Sequence, residues 1–236
     1  MISVVIPAFN EESQLGECLA SLASQTIQEP FEVVVVDNNS TDSTHAVAEQ
    51  FCDKLNLRVV REPRQGRGQA RRTGFREAVG DILVSSDADT IMPPEWLATL
   101  TQPLEANSFV AVAGPSRLKD GPQWSRWLFG FLQPATARAY RLVFGHYWLP
   151  GFNFAIRREV YFLAGEFDAD MDALEDNDLS WRVTRHGRIH FVPESKVAFS
   201  GRRFFNGFWS GMRDYVVVFV KYHFFKHRRI FWSNIR

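Results

Sequence analysis

The sequence predicts an α/β protein with a mostly parallel sheet flanked by helices. Two observations predict it. Near-continuous apolar runs of four to six residues recur through the first 115 residues, and segments of 10 to 15 residues with helical apolar spacing separate them. Runs with no polar alternation belong to strands covered on both faces, and their alternation with helices argues for parallel crossover units. A third observation concerns the site. Asp37 and Asp87 close two of these runs, and ligands of such sheets bind beyond the carboxyl ends of the strands.

The elements follow in order. "SVVIPAF" reads as a buried strand and "EESQLGECLASLASQ" as an amphipathic helix with Leu15, Cys18, Leu19 and Leu22 on one face. "FEVVVVDNNS" is a second strand, and Ser40 or Thr41 can cap a helix running through Ala46, Val47 and Phe51 to about Leu55. "LRVVRE" is a third strand, "GQARRTGFREAVG" a third helix and "DILVSSD" a fourth strand. "PPEWLATLTQPLEA" is a helix opening on proline, and "SFVAVAGP" a fifth strand. Beyond residue 115 the pattern loosens. "QWSRWLFGFLQPATARAYRLVFGHYW" holds three Arg and no acid and is expected to be helical around Pro134; "LPGFNFAIRREVYFLAGEF" reads as a strand and a short helix, and "RIHFVP" as a strand. With no internal repeat or low-complexity linker, residues 1–200 are expected to form one domain.

Residues 201–236 form a second segment of different character. The 236-residue chain is formally neutral, yet this segment holds eight Lys and Arg against Asp214 alone, and 11 of the 33 aromatic residues. Phe204, Phe208, Met212, Tyr215, Phe219 and Tyr222 fall at helical spacing. Such a helix either packs on the domain or lies on an anionic membrane. The neutral total and the acidic first 200 residues give no support for nucleic-acid binding. Cys18 and Cys52, on expected helices, lack metal-ligand spacing and read as reduced thiols. "MISVVIPAFNEE" begins a strand at once and does not read as a signal peptide, and the longest uncharged stretch, 142–156, contains Pro150, Gly151 and Asn153. The expected location is cytoplasmic, or peripheral on the cytosolic face of a membrane.

Three constellations carry chemistry. In "SSDADT", Asp87 and Asp89 would repel each other unless a cation lies between them. Mg2+ or Mn2+ would serve, as hard cations that take oxygen ligands; a solvated turn is the other reading. The run Asp168, Asp170, Asp172, Glu175, Asp176, Asp178 is not an EF-hand, because Ala173 and Leu179 stand where Gly and Glu are required. Its last acids crowd the start of a helix, where the dipole favours anions. "RQGRGQARRTG" is neither a dinucleotide fingerprint nor a P-loop. Its glycines and arginines either cradle a diphosphate at a helix N-terminus or form a flexible basic loop.

In order, "VVIPAFNE", "VVVVDNNSTDST", "GRGQARRTG" with "AVGD", "DAD", "GFNFAIRRE" and "LEDNDLSWR" resemble the motifs of family-2 glycosyltransferases with the GT-A fold, over nearly all of residues 1–200. The resemblance implies inverting transfer of a single sugar from a nucleoside-diphosphate sugar of UDP or GDP type to a carbohydrate or lipid-linked acceptor. It implies donor contacts from Pro7, Phe9, Glu11, Asp37, Asn39, Gly66, Arg71, Asp87, Ala88 and Asp89, with metal at Asp87 and Asp89. Asp37 would lie near the base and ribose. Acceptor contacts would come from Gly151, Asn153 and Glu175, and Asp176 would be the catalytic base. The chain departs from the family pattern at Arg72, where many members have Asn, and it lacks the Q-x-x-R-W signature of processive synthases. Where many relatives carry a metal-binding His, "SGRRF" follows, so Arg202 and Arg203 are expected to hold diphosphate.

Three other readings compete. A haloacid-dehalogenase-type phosphatase also has a D-x-D loop after a strand, but expects Thr or Val where Ile91 stands. A sugar nucleotidyltransferase needs a Gly-rich basic loop after the first strand, and "PAFNEES" has none. A non-catalytic membrane-docking protein could keep the fold; intact Asp87, Asp89 and Asp176 argue against it.

Overall fold

The computed structural model describes residues 1–106, 108–171, 173–202, 213 and 217. Its main sheet has seven strands: β1 (Ile2–Ala8), β2 (Phe31–Asp37), β3 (Leu57–Arg61), β4 (Ile82–Ser85), β6 (Ala111–Ala113), β8 (Phe154–Arg157) and β9 (Ile189–Phe191), in the order β3-β2-β1-β4-β8-β6-β9. All neighbours run parallel except β8, which is antiparallel to both β4 and β6. Register sets Ile2 opposite Phe31 and Ile82, and Ala8 opposite Asp37.

The apolar runs are explained by burial on both faces. Val4, Ile6, Val33 and Val35 face a cluster with α1 (Leu15–Ala23) and α4 (Trp96–Glu105), while Val5, Val34 and Val36 face α3 (Arg67–Glu77) and α6 (Arg158–Leu163). Successive strand residues point to opposite faces, so neither parity is free to be polar. The expected stripe of Leu15, Cys18, Leu19 and Leu22 is fully buried.

Helix starts differ from expectation because loop side chains are used elsewhere. Ser40 and Thr41 do not cap α2 (Thr44–Glu49): Asn10 donates its N–H to Ser40 Oγ at 3.1 Å and accepts the Thr41 N–H at 2.9 Å. The Thr44 N–H is instead taken by Asp42 Oδ1 at 3.0 Å. Glu11 and Glu12 donate their N–H groups to Thr44 Oγ1 and Asp42 Oδ2, so α1 begins only at Leu15. α2 ends at Glu49, which leaves Cys52 outside a helix; it is an exposed free thiol and Cys18 a buried one. Pro93 and Pro94 precede α4 rather than open it.

A second sheet, β5 (Thr90–Ile91), β10 (Val197–Phe199) and β7 (Ser116–Leu118), has no counterpart in the sequence reading. Strands of two or three residues are too short to show a period. Their effect is large, because β10 pairs antiparallel with β5, and Arg202 just beyond it reaches Asp89 just before β5. α5 (Gln123–Phe144) runs unbroken through Pro134, closes on Gly145 at φ 82° and turns Gln133, Ala137 and Tyr140 inward. α7 (Glu175–Val183) begins at the acids. Asp172, Arg203 and the helix expected through Phe204 to Tyr222 lie outside the described residues, where only Arg213 and Val217 of the tail are included. Among the described residues no helix is long and apolar enough to cross a membrane.

Candidate active site

Beyond the carboxyl ends of β1 and β4 the sheet opens into a cleft of about 210 Å³. Pro7, Phe9 and Glu11 form one side, Asp87, Ala88 and Asp89 the floor, and Gly151, Glu175 and Asp176 the far wall.

Each carboxylate of the D-x-D pair faces a guanidinium. Arg71, 4% exposed, sets Nη2 2.5 Å from Asp87 Oδ1, and its Nη1 is ion-paired with Glu175. Burial works against that charge, but Asp87 and Glu175 outweigh it and hold Arg71 protonated. On the other side Arg202 Nη2 lies 3.2 Å from Asp89 Oδ2 and 2.8 and 2.9 Å from the two Glu11 oxygens. The repulsion that the sequence pointed to is therefore offset by two arginines within the chain. Beneath the pair, the Cys18 thiol donates to the Asp87 carbonyl at 3.6 Å, and burial pushes its pKa up, so it stays a protonated donor.

The opposite wall is built by a strained turn. Leu174 adopts φ 58°, a conformation costly for a residue with a branched side chain, and the next residue starts α7. The turn presents Asp176 to the cleft, with Oδ2 accepting the Gly151 N–H at 2.8 Å and Oδ1 the Asn177 N–H at 2.7 Å. Burial, reinforced by the charge of Glu175, pushes the Asp176 pKa up to about 7 against the opposing pull of Arg71 and the two N–H groups. A carboxylate so placed can take a proton near neutral pH. Gly151 has a packing reason as well: a Cβ there would stand 2.5 Å from Arg71 Nη2.

Other expected site residues lie elsewhere. Asn153 is fully buried and does not line the cleft: its amide nitrogen donates to the Pro115 and Ser195 carbonyls and its oxygen accepts the Trp96 Nε1–H. Glu175 borders the cleft but turns onto Arg71, and Asp178 pairs with Arg182 at 2.8 Å. The glycine loop offers no open cradle, because the Gly66 N–H is taken by Asn38 Oδ1 and the Gly68 N–H by the Met171 carbonyl; Arg67 reaches the cleft instead. Asp37 and Asn39 stand outside the cleft lining, with Asp37 Oδ1 accepting the Ser40 N–H, and Asn38 lines it in their place. Arg72 pairs with Glu166, so the departure there does not reach the cleft. Ser200 donates to Asp120. The sequence reading missed Phe152 and Phe199, which stack at 5.7 Å and both border the cleft. Only their aromatic character beside motif residues signalled them.

Residues 3–162 match the model of glycosyl transferase family 2, and the chain belongs to that family. It is 33% identical over 129 residues to a dolichol-phosphate mannosyltransferase of Pyrococcus furiosus, which covers 54% of this chain and 36% of that protein. It is 29% identical over 255 residues to the probable glycosyltransferase YdaM of Bacillus subtilis, covering 97% of this chain and 59% of that one. The chain thus spans a third to three fifths of the length of these relatives. In three dimensions it resembles a mannosyltransferase of Pyrobaculum calidifontis solved with GDP-Man and Mn2+, at TM-score 0.68 and 27% identity over 84% of this chain and 56% of that one. The fold is therefore GT-A.

Asp87 and Asp89 offer the oxygen donors a hard divalent ion takes, and both line the cleft. Among the described residues no group of three His, Cys, Asp or Glu forms a protein cage. An ion held there by two carboxylates would take its remaining ligands from diphosphate oxygens and water.

Proposed function

We propose that the chain transfers one sugar, with inversion, from a nucleoside-diphosphate sugar to a hydroxyl of a carbohydrate or lipid-linked acceptor. One observation carries this reading: Asp176, whose carboxyl pKa is pushed up by burial, lines the same cleft as the paired aspartates Asp87 and Asp89. Pro7, Phe9 and Asn38 hold the nucleoside side, and Asp87, Asp89, Arg67 and Arg202 the diphosphate side. Asp176 takes the proton of the acceptor hydroxyl as its oxygen attacks the anomeric carbon, and the bond from that carbon to the diphosphate breaks. Asp87 and Asp89 would hold Mg2+ or Mn2+, which supplies Lewis-acid stabilisation of the leaving diphosphate. Arg202 can leave Asp89 and Glu11 for the diphosphate, since a guanidinium pairs well with phosphate oxygens. The Pyrococcus relative, named for dolichol phosphate, supports the lipid-linked alternative, in which an acceptor phosphate would attack without a base, and the Pyrobaculum complex supports a nucleotide donor.

The test is calorimetric titration with UDP and GDP, each with and without Mn2+. Metal-dependent binding of one diphosphate, lost in Asp89→Ala, is expected. Absence of binding to either would sink the donor-site reading and favour a non-catalytic docking protein.

A further inference from the structure

We infer that the outer face of α5 docks the protein on an anionic lipid bilayer. Trp127, Phe131 and Leu142 are 72%, 63% and 86% exposed, although each is large and apolar. Together with exposed Arg138 and Arg141 they fall at positions 127, 131, 138 and 141/142, which is one stripe at helical spacing. The Trp127 and Phe131 rings stack 6.1 Å apart at 7°, which makes a flat apolar patch one turn long. The opposite side of α5 carries the helix's packing through Gln133, Ala137 and Tyr140. The apolar part of the stripe, Trp127, Phe131 and Leu142, is therefore surplus to the fold, whereas Arg141 also stacks on Tyr147 and donates to its hydroxyl at 3.2 Å.

Charge identifies the occupant. α5 holds Arg126, Arg138 and Arg141 and no acid. A second copy would bring the same arginines against these. The chain's own segment 203–236 carries seven Lys and Arg against Asp214, so it would bring like charge too. An anionic bilayer complements both at once: aromatic rings settle at the headgroup boundary and arginines meet lipid phosphates. At 22 residues with three arginines, α5 suits a helix lying in the interface and not one spanning it. The placement is also productive. Tyr140, on the inner side of α5, donates to Asn177, the neighbour of Asp176, at 3.1 Å. The inner side of α5 thus packs on the helix that carries Asp176, which puts the docking face and the base on the same side of the domain. The inference rests on the glycosyltransferase reading only for this last point.

The experiment is co-sedimentation of the full chain, without nucleotide, with phosphatidylcholine vesicles and with vesicles containing phosphatidylglycerol. Trp127→Glu/Phe131→Glu and Arg138→Glu/Arg141→Glu are compared with the parent, and an unchanged unfolding midpoint shows that each is folded. The parent is expected to prefer the anionic vesicles, with a blue shift of tryptophan emission, and each double variant to partition about tenfold less. Three results would overturn the inference: no binding by the parent, equal binding by the folded variants, or a dimer that Trp127→Glu/Phe131→Glu dissolves without any vesicle binding. The nucleotide titration is untouched by any of them, so the two readings fail separately.

Discussion

Arg71 and Glu175, 104 residues apart in the chain, form an ion pair in which each side chain is 5% exposed. The same guanidinium holds Asp87, and the residue after Glu175 is Asp176. One buried cation thus ties the floor of the cleft at Asp87 to the wall that carries Asp176.

Removing that cation strands the buried carboxylate of Glu175 and leaves Asp87, 40% exposed, to solvent. Arg71→Met is expected to destabilise the fold by about 3–5 kcal/mol, the usual cost of breaking one side of a buried pair. Urea denaturation measures it. A loss under about 1 kcal/mol would mean that the pair is not desolvated as the structure has it.

Asp176→Asn should keep nucleotide binding and lose transfer by about 10²–10⁴-fold. In the parent, transfer should rise with pH up to about 7, as Asp176 loses its proton, and then level. Stability should move the other way. A carboxyl whose folded pKa is raised binds more protons folded than unfolded, so its contribution is full at low pH and is lost as pH rises through about 7. The Asn variant should lack that decline. Transfer equal to the parent would remove Asp176 as base and point to an acceptor phosphate that needs no deprotonation.

Arg202→Met should weaken binding of the preferred nucleoside diphosphate about tenfold, because a charge-assisted contact is removed. Calorimetry with the parent as reference decides it. Unchanged affinity would leave Arg202 as a structural partner of Glu11 and Asp89 alone.

Asn153→Ala should cost about 1–3 kcal/mol in stability, leaving the Trp96 Nε1–H and two buried carbonyls unpaired. Its folded fraction should bind nucleotide as the parent does. A change in acceptor KM without loss of stability would restore Asn153 to the acceptor site.

The sheet was legible because Val33 to Val36 and Ile82 to Val84 are apolar at every position, a pattern that two-sided burial imposes. The paired aspartates were legible for a comparable reason, since carboxylates on alternate positions demand a counter-charge. The identity of that counter-charge was not. Arg71 stands 16 residues from Asp87 and Arg202 stands 113 from Asp89, and no local period links such positions. Asn153 satisfies buried carbonyls in this structure, which the sequence could not show, because a polar residue inside a motif looks the same whether it faces a ligand or the interior.

By itself the sequence determined the strands of the main sheet, the helices between them and the end of the sheet where the carboxylates gather, because apolar period and strand-end residues are local properties. Only the tertiary structure decided which cations offset those carboxylates, which acid faces the cleft and which turns away. Those outcomes depend on burial and on partners from distant parts of the chain. The short sheet that brings Arg202 to Asp89 exists only once β5, β7 and β10 meet.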